Sequence, residues 1–496
     1  TYWGGELTGH VSYLVAKYAS SGSEVCVEAA QLTNNKNHSV IFHSNCDMSS
    51  YGNGFRGIGT TYQDNYRPNR NDDPDIKRRT LLIKNSVGSN DNTNNRKIIF
   101  KRNIREYASE GNGGWWAQGI GLFPVVCFKE NTEVSNLTIS GYSCIQYKED
   151  RSTHKLAYIG ETAAGGFAGM TADGSGQKNV TFRSVIIKDM TVTGSKYSGG
   201  FFGVIGQSSR TIEKTKKIVT DVSSVVGIYI FDSCGYDNII VEGGYSAGGF
   251  VGTYRNTGKT FTVRGISDLK NSKVGWVRDA CREMYELTKI ADKAKTEGFS
   301  GGGGIVGYYS GGNMTINSTS DNEDDGKLTM NGIYVYGPRF AYNCDYGLGG
   351  IIGLQITNGG LTMRNTTIEN SAVEVRLDWE YTGAKKDKTY YTTPACGLIK
   401  GYSRTSMNVY GLTVENSAVL NAGFCGGLAG QQVGVSKVYD TNITSLVVYS
   451  QGAGCYSGAP RVGGLYGGTA SNTIDVQRLT MTAVSVVSDG NTGLIK

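Results

Sequence analysis

The sequence predicts an all-β protein that folds as a right-handed parallel β-helix (β-solenoid) of about nine rungs. Three observations predict it. Glycine makes up 71 of the 496 residues, roughly twice its usual share, whereas proline accounts for only 6. A short phrase of two glycines, an apolar residue, any residue and a further glycine recurs along the chain. Between its copies, apolar residues alternate with polar ones, which is typical of β-strands.

The glycine phrase is the clearest repeat. It reads GGFAG (165–169), GGFFG (199–203), GGFVG (248–252), GGIVG (303–307), GGIIG (349–353), GGLAG (426–430) and GGLYG (463–467). We interpret CGLIKG (396–401) as a slipped copy with one extra residue and GIGLFP (119–124) as a degenerate first copy. Stacked copies bury an apolar side that one short unit cannot bury alone. We therefore expect a structural ladder of glycines and core residues: Gly166, Phe167, Gly200, Phe201, Gly249, Phe250, Gly304, Ile305, Gly350, Ile351, Gly397, Leu398, Gly427, Leu428, Gly464 and Leu465.

The glycines of the phrase allow two structural interpretations. They supply a positive φ at the corner between two faces, or they let a neighbouring backbone approach closely. A phosphate-binding loop would need the pattern G-x-x-x-x-G-K-[ST] or a βαβ context, and the sequence offers neither.

Two further short segments with alternating apolar residues follow most copies of the glycine phrase. Residues 361–375 read LTMRNTTIENSAVEV, and residues 407–420 read MNVYGLTVENSAVL. Each unit therefore consists of about three short strands, and parallel crossovers of this kind are normally right-handed.

One insertion differs from the strands around it. In residues 275–298 apolar residues recur at helical spacing, and Gly298 is placed to end a helix. The sequence thus predicts a helical insertion packed on the flank. Residues 1–118 do not repeat, so we expect an N-terminal cap with the first strands there, followed by the β-helix over residues 119–496.

The repeats resemble the GLUG-motif repeats of bacterial cell-surface proteins. GGFVG, GGLAG and the intervening LTVENSAV carry the resemblance, together with CDMSSYGNGFRGIGT (46–60) and GIGLFPVVCFKENTEVSNLTISG (119–141). The resemblance implies secretion, a parallel β-helix and a part in adhesion or surface architecture. It implies no particular ligand and no catalytic residues.

Composition narrows the function classes. The net charge of +6 is mild for this length, and the basic runs at 75–84 and 95–106 read as strands with solvated faces rather than a nucleic-acid site. An anionic partner, if there is one, is a surface polysaccharide or a cell wall. With 4 histidines and no C-x-x-C, we expect neither a metal site nor a cofactor. The chain contains no apolar run as long as the roughly 18 residues of a membrane span.

Cysteines and asparagines supply two kinds of modification candidate. Cys396 and Cys425 precede consecutive glycine phrases, so stacking would bring them together as a possible disulfide; buried reduced thiols are the alternative. Sequons for N-glycosylation begin at Asn37, Asn136, Asn179, Asn313, Asn317, Asn365 and Asn442. They become glycans only in a secretory context.

Acidic residues that could support catalysis are few. The runs are NDDPD (71–75) and DNEDDG (321–326). Asp321, Glu323, Asp325 and Gly326 resemble the start of a calcium loop, but Gly332 stands where the loop needs its final glutamate. Neither run lies on the repeated strands. We therefore expect no catalytic residues and no enzyme activity.

Three functions follow, in order of preference. The first is a secreted, extracellular cell-surface β-solenoid that serves as an adhesive or structural rod, with glycans or host matrix as possible partners. The second is a self-assembling filament subunit, because GNTGLIK (490–496) begins a tenth repeat. Either the protein continues, or an open edge pairs end to end with another copy or a neighbouring surface protein. The third is a carbohydrate-active β-helix lyase or hydrolase.

Overall fold

A computed structural model describes most of the chain from residue 119 onward and several short segments before that residue. The described residues are 13–16, 27–30, 40–42, 46–47, 81–83, 86–89, 96–103, 119–128, 131–144, 163–171, 179–194, 196–206, 208–212, 217–221, 227–256, 258–276, 299–317, 326–340, 345–356, 359–381, 394–451, 460–469, 473–488 and 491–493.

Three large β-sheets make up the fold. Sheet 1 and sheet 2 have 10 strands each, and sheet 3 has 19. In the described ranges from residue 119 onward the chain passes through sheets 1, 2 and 3 in that order nine times, and we call each pass a unit.

The strands of sheet 1 are β8 (Gly119–Ile120), β11 (Ala163–Gly165), β14 (Tyr197–Gly199), β20 (Ser246–Gly248), β23 (Phe299–Gly303), β27 (Asp345–Gly349), β31 (Ala395–Gly397), β34 (Phe424–Gly426), β37 (Arg461–Gly463) and β41 (Asn491–Gly493). Those of sheet 2 are β5 (Leu81–Ile83), β9 (Phe123–Phe128), β12 (Ala168–Thr171), β15 (Phe202–Gly206), β21 (Val251–Asn256), β24 (Val306–Gly311), β28 (Ile352–Gln355), β32 (Lys400–Ser403), β35 (Ala429–Gln432) and β38 (Tyr466–Thr469).

Sheet 3 contains the longest strands. In units 1 to 9 they are β10 (Thr132–Cys144), β13 (Val180–Gly194), β18 (Tyr229–Asp232) with β19 (Gly235–Gly243), β22 (Phe261–Trp276), β25 (Met314–Ile316) with β26 (Gly326–Phe340), β29 (Leu361–Glu369) with β30 (Ala372–Tyr381), β33 (Met407–Leu420), β36 (Ser436–Ser450), and β39 (Ile474–Thr482) with β40 (Ser485–Ser488). A separate antiparallel hairpin, β16 (Ser208–Ile212) and β17 (Lys217–Asp221), is inserted in unit 3.

Earlier strands extend the sheets toward the N-terminus. They are β1 (Tyr13–Ala16), β2 (Val27–Ala30), β3 (Val40–Phe42), β4 (Cys46–Asp47), β6 (Ser86–Ser89) and β7 (Arg96–Asn103). β3 and β4 pair in parallel with β6 and β7, which pair in parallel with β10. β1, β2 and β3 pair antiparallel instead. The parallel arrangement therefore begins inside the region 1–118 that the sequence assigns to a cap.

Each unit from 1 to 9 pairs in parallel with its neighbours in all three sheets. β33, for example, pairs with β36 from Met407↔Ser436 to Leu420↔Tyr449. The predicted all-β class and parallel strand pairing are thus confirmed.

The predicted helical insertion is not supported. Gly275 and Trp276, its first residues, are the last residues of β22, where Trp276 is fully buried against Tyr346. Residues 277–298 lie outside the described residues, and the described ranges contain no helix. The helical spacing began at Val277, so the strand before it was not distinguished.

The glycine phrase forms the sharp turn between sheet 1 and sheet 2. A Cβ on the first glycine would lie 1.9 Å from a carbonyl oxygen just across the turn, as at Gly248 against Val251. One on the second would lie against the next unit, 1.9 Å from the Gly304 oxygen in the case of Gly249. Because real Cβ contacts are never this short, close backbone approach is the reason for the glycines.

An outer crease is formed where sheets 1 and 2 fold back on each other. Large outward side chains in one sheet lie opposite glycines in the other. The Phe424 ring lies 2.7 Å from the Cβ position of Gly468, and the backbone nitrogen of Tyr402 lies 2.6 Å from the Cβ position of Gly347. At the other end, Tyr197 and Tyr245 close the crease with edge-to-face rings 5.7 Å apart. This complementary packing buries the crease along most of the units.

Sheet 3 bends twice in each unit at residues in the left-handed region. Their φ angles lie between 44° and 113°. In unit 7 they are Gly411 and Asn416, five positions apart, and each adds one residue to the alternation so that apolar residues keep facing inward. The first column is Asn136, Ser184, Ser233, Gly265, Asn317, Asn365, Gly411, Asp440 and Arg478. The second is Gly141, Asp189, Asn238, Asn271, Gly332, Asn370, Asn416, Ser445 and Ala483.

Candidate functional site

The outward face of sheet 3 carries the richest set of polar and aromatic side chains among the described residues. Parallel pairing places equivalent residues of successive units side by side, so every outward position becomes a column running across the units. Three columns are considered below, because a surface that binds another molecule must be built from outward residues.

The first column is aromatic and lies on units 6 to 9. The guanidinium of Arg364 lies 4.4 Å from the centre of the Tyr410 ring, and the Tyr410 and Tyr439 rings are 5.5 Å apart. The Tyr439 hydroxyl donates to Asp475. This hydrogen bond is the main cause that holds the pKa of Asp475 below its usual value. The result is a half-buried aromatic strip with ionised groups at its edge.

The second column joins tyrosines to carboxylates on units 3 to 7. The Tyr336 hydroxyl donates to Glu242, and its ring lies over Gly275. The Tyr334 hydroxyl donates to Glu374, and the Tyr334 and Tyr336 rings stack 5.1 Å apart. Burial, with the hydrogen bond to Glu374 next in size, raises the pKa of Tyr334 to about 12. These phenols therefore stay protonated at neutral pH, which makes them donors rather than nucleophiles.

The third set of columns alternates in charge on units 1 to 4. Arg264 contacts Asp232 at 3.0 Å, and Lys188 contacts Asp237 at 3.6 Å. Lys270 contacts Asp268 at 2.9 Å, and this hydrogen bond is the main cause that raises the pKa of Lys270. The first two pairs join neighbouring units and stabilise the stacking, modestly because these groups are largely exposed, whereas Lys270 and Asp268 lie on the same strand.

The structure places the predicted core residues in one buried ladder, except that the register changes at Gly397. Phe167, Phe201, Phe250, Ile305, Ile351, Leu428 and Leu465 are all fully buried in one core. Gly397, however, pairs with Gly349 and Gly426, so it is the first glycine of its phrase. Leu398 takes the place of the second glycine, and Ile399 stands in the ladder, hydrogen-bonded to Ile351 and Leu428. GLIKG (397–401) is thus a substituted copy with no extra residue.

The two cysteines are neighbours, as the stacking argument predicts. Cys396 pairs in register with Cys425, and both are fully buried. Both are free thiols, so the predicted disulfide is absent from the structure. Burial is the main cause that raises the pKa of Cys396 well above its ordinary value, which keeps its thiol protonated.

Five of the sequon asparagines occupy positions that the stacking itself requires. Asn136, Asn317 and Asn365 have a left-handed backbone and belong to the first of the two left-handed columns of sheet 3. The side chain of Asn317 is buried. Asn179 and Asn313 precede sheet 3, and their Oδ1 atoms accept backbone N–H groups of the next unit, from Ile228 at 3.2 Å and Gly360 at 3.0 Å.

The two other sequons differ from these five. Asn442 points outward from β36 and is exposed, whereas Asn37 lies outside the described residues. Glycosylation therefore stays a prediction, and Asn442 is an exposed sequon asparagine on an outward strand position.

The acidic runs weighed as catalytic or calcium candidates fall almost entirely on residues that the structure does not describe. Residues 71–75 and 321–325 lie outside the described residues, and Gly326 begins β26. Within the part of the chain that the structure describes, no three His, Cys, Asp or Glu residues group as metal ligands. In the same part, no helix has the length and hydropathy of a membrane-spanning segment.

Comparisons with known proteins identify no relative. No family model matches the chain, no curated protein matches it, and no solved structure is similar.

Proposed function

We propose that the chain is a right-handed parallel β-solenoid of about nine rungs that serves as a secreted, non-catalytic adhesive or structural rod at a cell surface. One observation carries the proposal: sheet 1 is paired in parallel without interruption from β8 to β41. Nine units at ~4.8 Å per strand extend for about 43 Å. An extended scaffold of this kind presents long outward columns, which suit repeated weak contacts.

The adhesive part of the proposal is supported by the aromatic strip of Arg364, Tyr410 and Tyr439. Aromatic rings with neighbouring hydrogen-bonding groups suit glycans and matrix proteins, because they offer apolar faces and donors together. The resemblance to GLUG-motif surface proteins points in the same direction. It supplies the expectation of secretion.

Glycan-array and matrix-protein binding of the intact protein tests the adhesive function. We expect binding that the double substitution Tyr410→Ala and Tyr439→Ala weakens at least about tenfold, the effect of losing a ring contact from each side chain. Tyr142→Ala, on the same sheet but in unit 1, is the matched control. Small-angle scattering checks the shape: a spherical envelope would contradict the rod.

A second candidate, end-to-end assembly, is favoured by unit 9. Its inward side chains Ile474, Val476, Leu479, Met481 and Val486 are only partly buried, whereas equivalent residues of units 2 to 8 are buried. Among the described strands, β39 and β40 pair only with β36. Such an edge is a template for a further parallel strand, from this chain or from another copy. Sedimentation over a concentration series distinguishes the two, because only an assembling subunit grows with concentration.

A further inference from the structure

A lysine occupies the apolar interior of the second half of the molecule. The first inward position of sheet 2 forms a column through all nine units. Its members are Phe123, Ala168, Phe202, Val251, Val306, Ile352, Lys400, Ala429 and Tyr466. Lys400 is fully buried, as are its neighbours Ile352 and Ala429.

Among the residues that the structure describes, the Lys400 amine contacts only neutral acceptors. Its Nζ lies 3.1 Å from Ser403 Oγ, 3.2 Å from Thr405 Oγ1 and 2.9 Å from the Ser406 carbonyl oxygen. A buried ammonium without a carboxylate is strongly disfavoured relative to the same ammonium in water. The neutral amine is the form that this environment favours.

The strands on either side add no charge. From unit 6, β28 turns Ile352 and Gln355 inward, and from unit 8, β35 turns Ala429 and Gln432 inward. Both glutamines donate through Nε2 to turn carbonyls, Gln355 to Gly359 at 2.7 Å and Gln432 to Gly434 at 3.0 Å. The Oε1 atoms of both glutamines are buried without a hydrogen-bond partner.

The other titratable groups near this part of the interior do not offset the lysine charge. Cys396 faces the core from sheet 1 and stays a neutral thiol, as described above. Glu374 on sheet 3 and Arg404 after β32 lie on the outside. Burial alone lowers the pKa of Lys400 well below its ordinary value, with no charged group contributing.

This arrangement couples opening of the segment to proton uptake. In the open, hydrated state the amine has its ordinary pKa of about 10.4, whereas burial lowers the pKa of the closed-state amine well below that value, so between the two values the open state binds more protons. Because the open state binds one more proton, each unit of decreasing pH favours opening about tenfold. The effect begins below the ordinary pKa and levels off once the pH falls below the closed-state value.

Units 7 to 9 contain Lys400 and the strands that follow it in the stack. Water reaches the Lys400 amine when β32 separates from β35 of unit 8, so the pairing between units 7 and 8 is the one that must open. We propose that Lys400 makes units 7–9 a pH-controlled segment, closed in alkaline solution and increasingly open as the solution becomes acidic.

Hydrogen exchange of the full chain, read by mass spectrometry between about pH 6 and pH 9, tests the proposal. After correction for the intrinsic exchange rate at each pH, we expect protection of β32, β33, β35 and β36 to fall about tenfold per pH unit on acidification. Protection of β13 and β19, in units 2 and 3, should stay constant over the same range.

Two variants decide the role of the lysine. Lys400→Ile and Lys400→Ala introduce residues that the same column already carries at Ile352 and Ala429, so the alanine variant decides if the isoleucine does not fold. In either, we expect the pH dependence of units 7–9 to disappear. Lys437→Ala, an exposed lysine of unit 8, is the control and should keep it. A pH-independent wild type, or a slope that survives both Lys400 substitutions, overturns the proposal.

Discussion

The two halves of the molecule have the same backbone but different interiors. Units 1 to 5 are filled with aromatic rings: Phe231 lies within 5.2 Å of the rings of Phe182, Phe201, Phe250 and Phe261. The column of Phe231 becomes aliphatic along the chain, with Val263 and Ile316 in units 4 and 5 and Met363, Val409 and Val438 in units 6 to 8. Parallel strand pairing nevertheless continues from one half to the other, with one register shift between β26 and β30.

The comparison teaches that side-chain shape in the core does not set the backbone path. Both halves share the glycines of the sharp turn, apart from Leu398 at the second glycine position of unit 7, and the left-handed residues of sheet 3. Interior packing then adapts, with rings in one half and branched or small residues in the other. The tolerance extends to polar residues, since Lys400, Gln355 and Gln432 are all in the second half.

The largest effect is expected at the second glycine, equally in both halves. Gly249→Ala and Gly350→Ala would each place a Cβ within 2.0 Å of a carbonyl oxygen in the next unit. We expect each to lower the free energy of unfolding by about 4 kcal/mol or more, measured by chemical denaturation.

Gly258→Ala is the matched control for these glycines. Gly258 has a φ of 73° but nothing within 4 Å of its Cβ position, so only backbone strain of about 1 kcal/mol applies. If Gly350→Ala lowers the free energy of unfolding no more than Gly258→Ala does, close backbone approach does not require a glycine at this position in both halves.

The second-largest loss of stability should differ between the two halves of the molecule. Phe231→Ala removes a ring packed against four others, and we expect a loss of about 3–5 kcal/mol. Met363→Ala, in the same column of unit 6, should fall near the lower end of about 2–5 kcal/mol, because a flexible side chain leaves a site that relaxes more easily. Urea unfolding of both variants measures the difference. Equal losses would mean that the aromatic core adds no rigidity.

A smaller effect is expected in the left-handed columns, with opposite signs at two positions. Ala483 has a φ of 53°, so Ala483→Gly should stabilise the protein by about 1 kcal/mol. Asn416, with a φ of 44°, should lose a similar amount on replacement by alanine and little on replacement by glycine. Thermal unfolding measures both. A destabilised Ala483→Gly variant would contradict the left-handed assignment.

The smallest effect should come from the exposed Asp440–Arg478 pair. Its hydrogen bond holds the pKa of Asp440 below its ordinary value, so the stabilisation is present above about pH 4 and is lost as the pH falls through the lowered value. Asp440→Asn keeps a residue that tolerates the left-handed region. The melting temperatures of the variant and the wild type should differ slightly at pH 7 and coincide in strong acid or 1 M salt. A difference that persists in both would have another origin.

Much of the fold follows from the glycine phrase, because stacking of identical turns leaves little choice of neighbours. The buried ladder and the adjacent Cys396 and Cys425 were predictable for this reason. The register of GLIKG was not, because Leu398 at a glycine position can be read as an inserted residue when only the sequence is known.

Other features needed the backbone itself. The left-handed columns left a signal in the sequence, namely Asn, Asp, Ser or Gly at five-residue spacing within otherwise apolar strokes, such as Gly411 and Asn416. That signal was easily mistaken for a set of sequons. A left-handed asparagine two residues before an outward threonine also matches the N-x-S/T pattern. The aromatic strip and the environment of Lys400 depend on which units become neighbours, and alternation within one strand does not reveal this.

The parallel pairing between units also determines how the molecule would respond to a pulling force. The hydrogen bonds run from unit to unit, so tension between the two ends loads them one row at a time, as in opening a zip. Gly426 and Gly463 are equivalent residues of units 8 and 9 and lie 37 positions apart. Each row that gives way therefore releases roughly 130 Å of extended chain at ~3.5 Å per residue. A stack of units built this way lengthens in steps and absorbs a sudden load before its last unit separates.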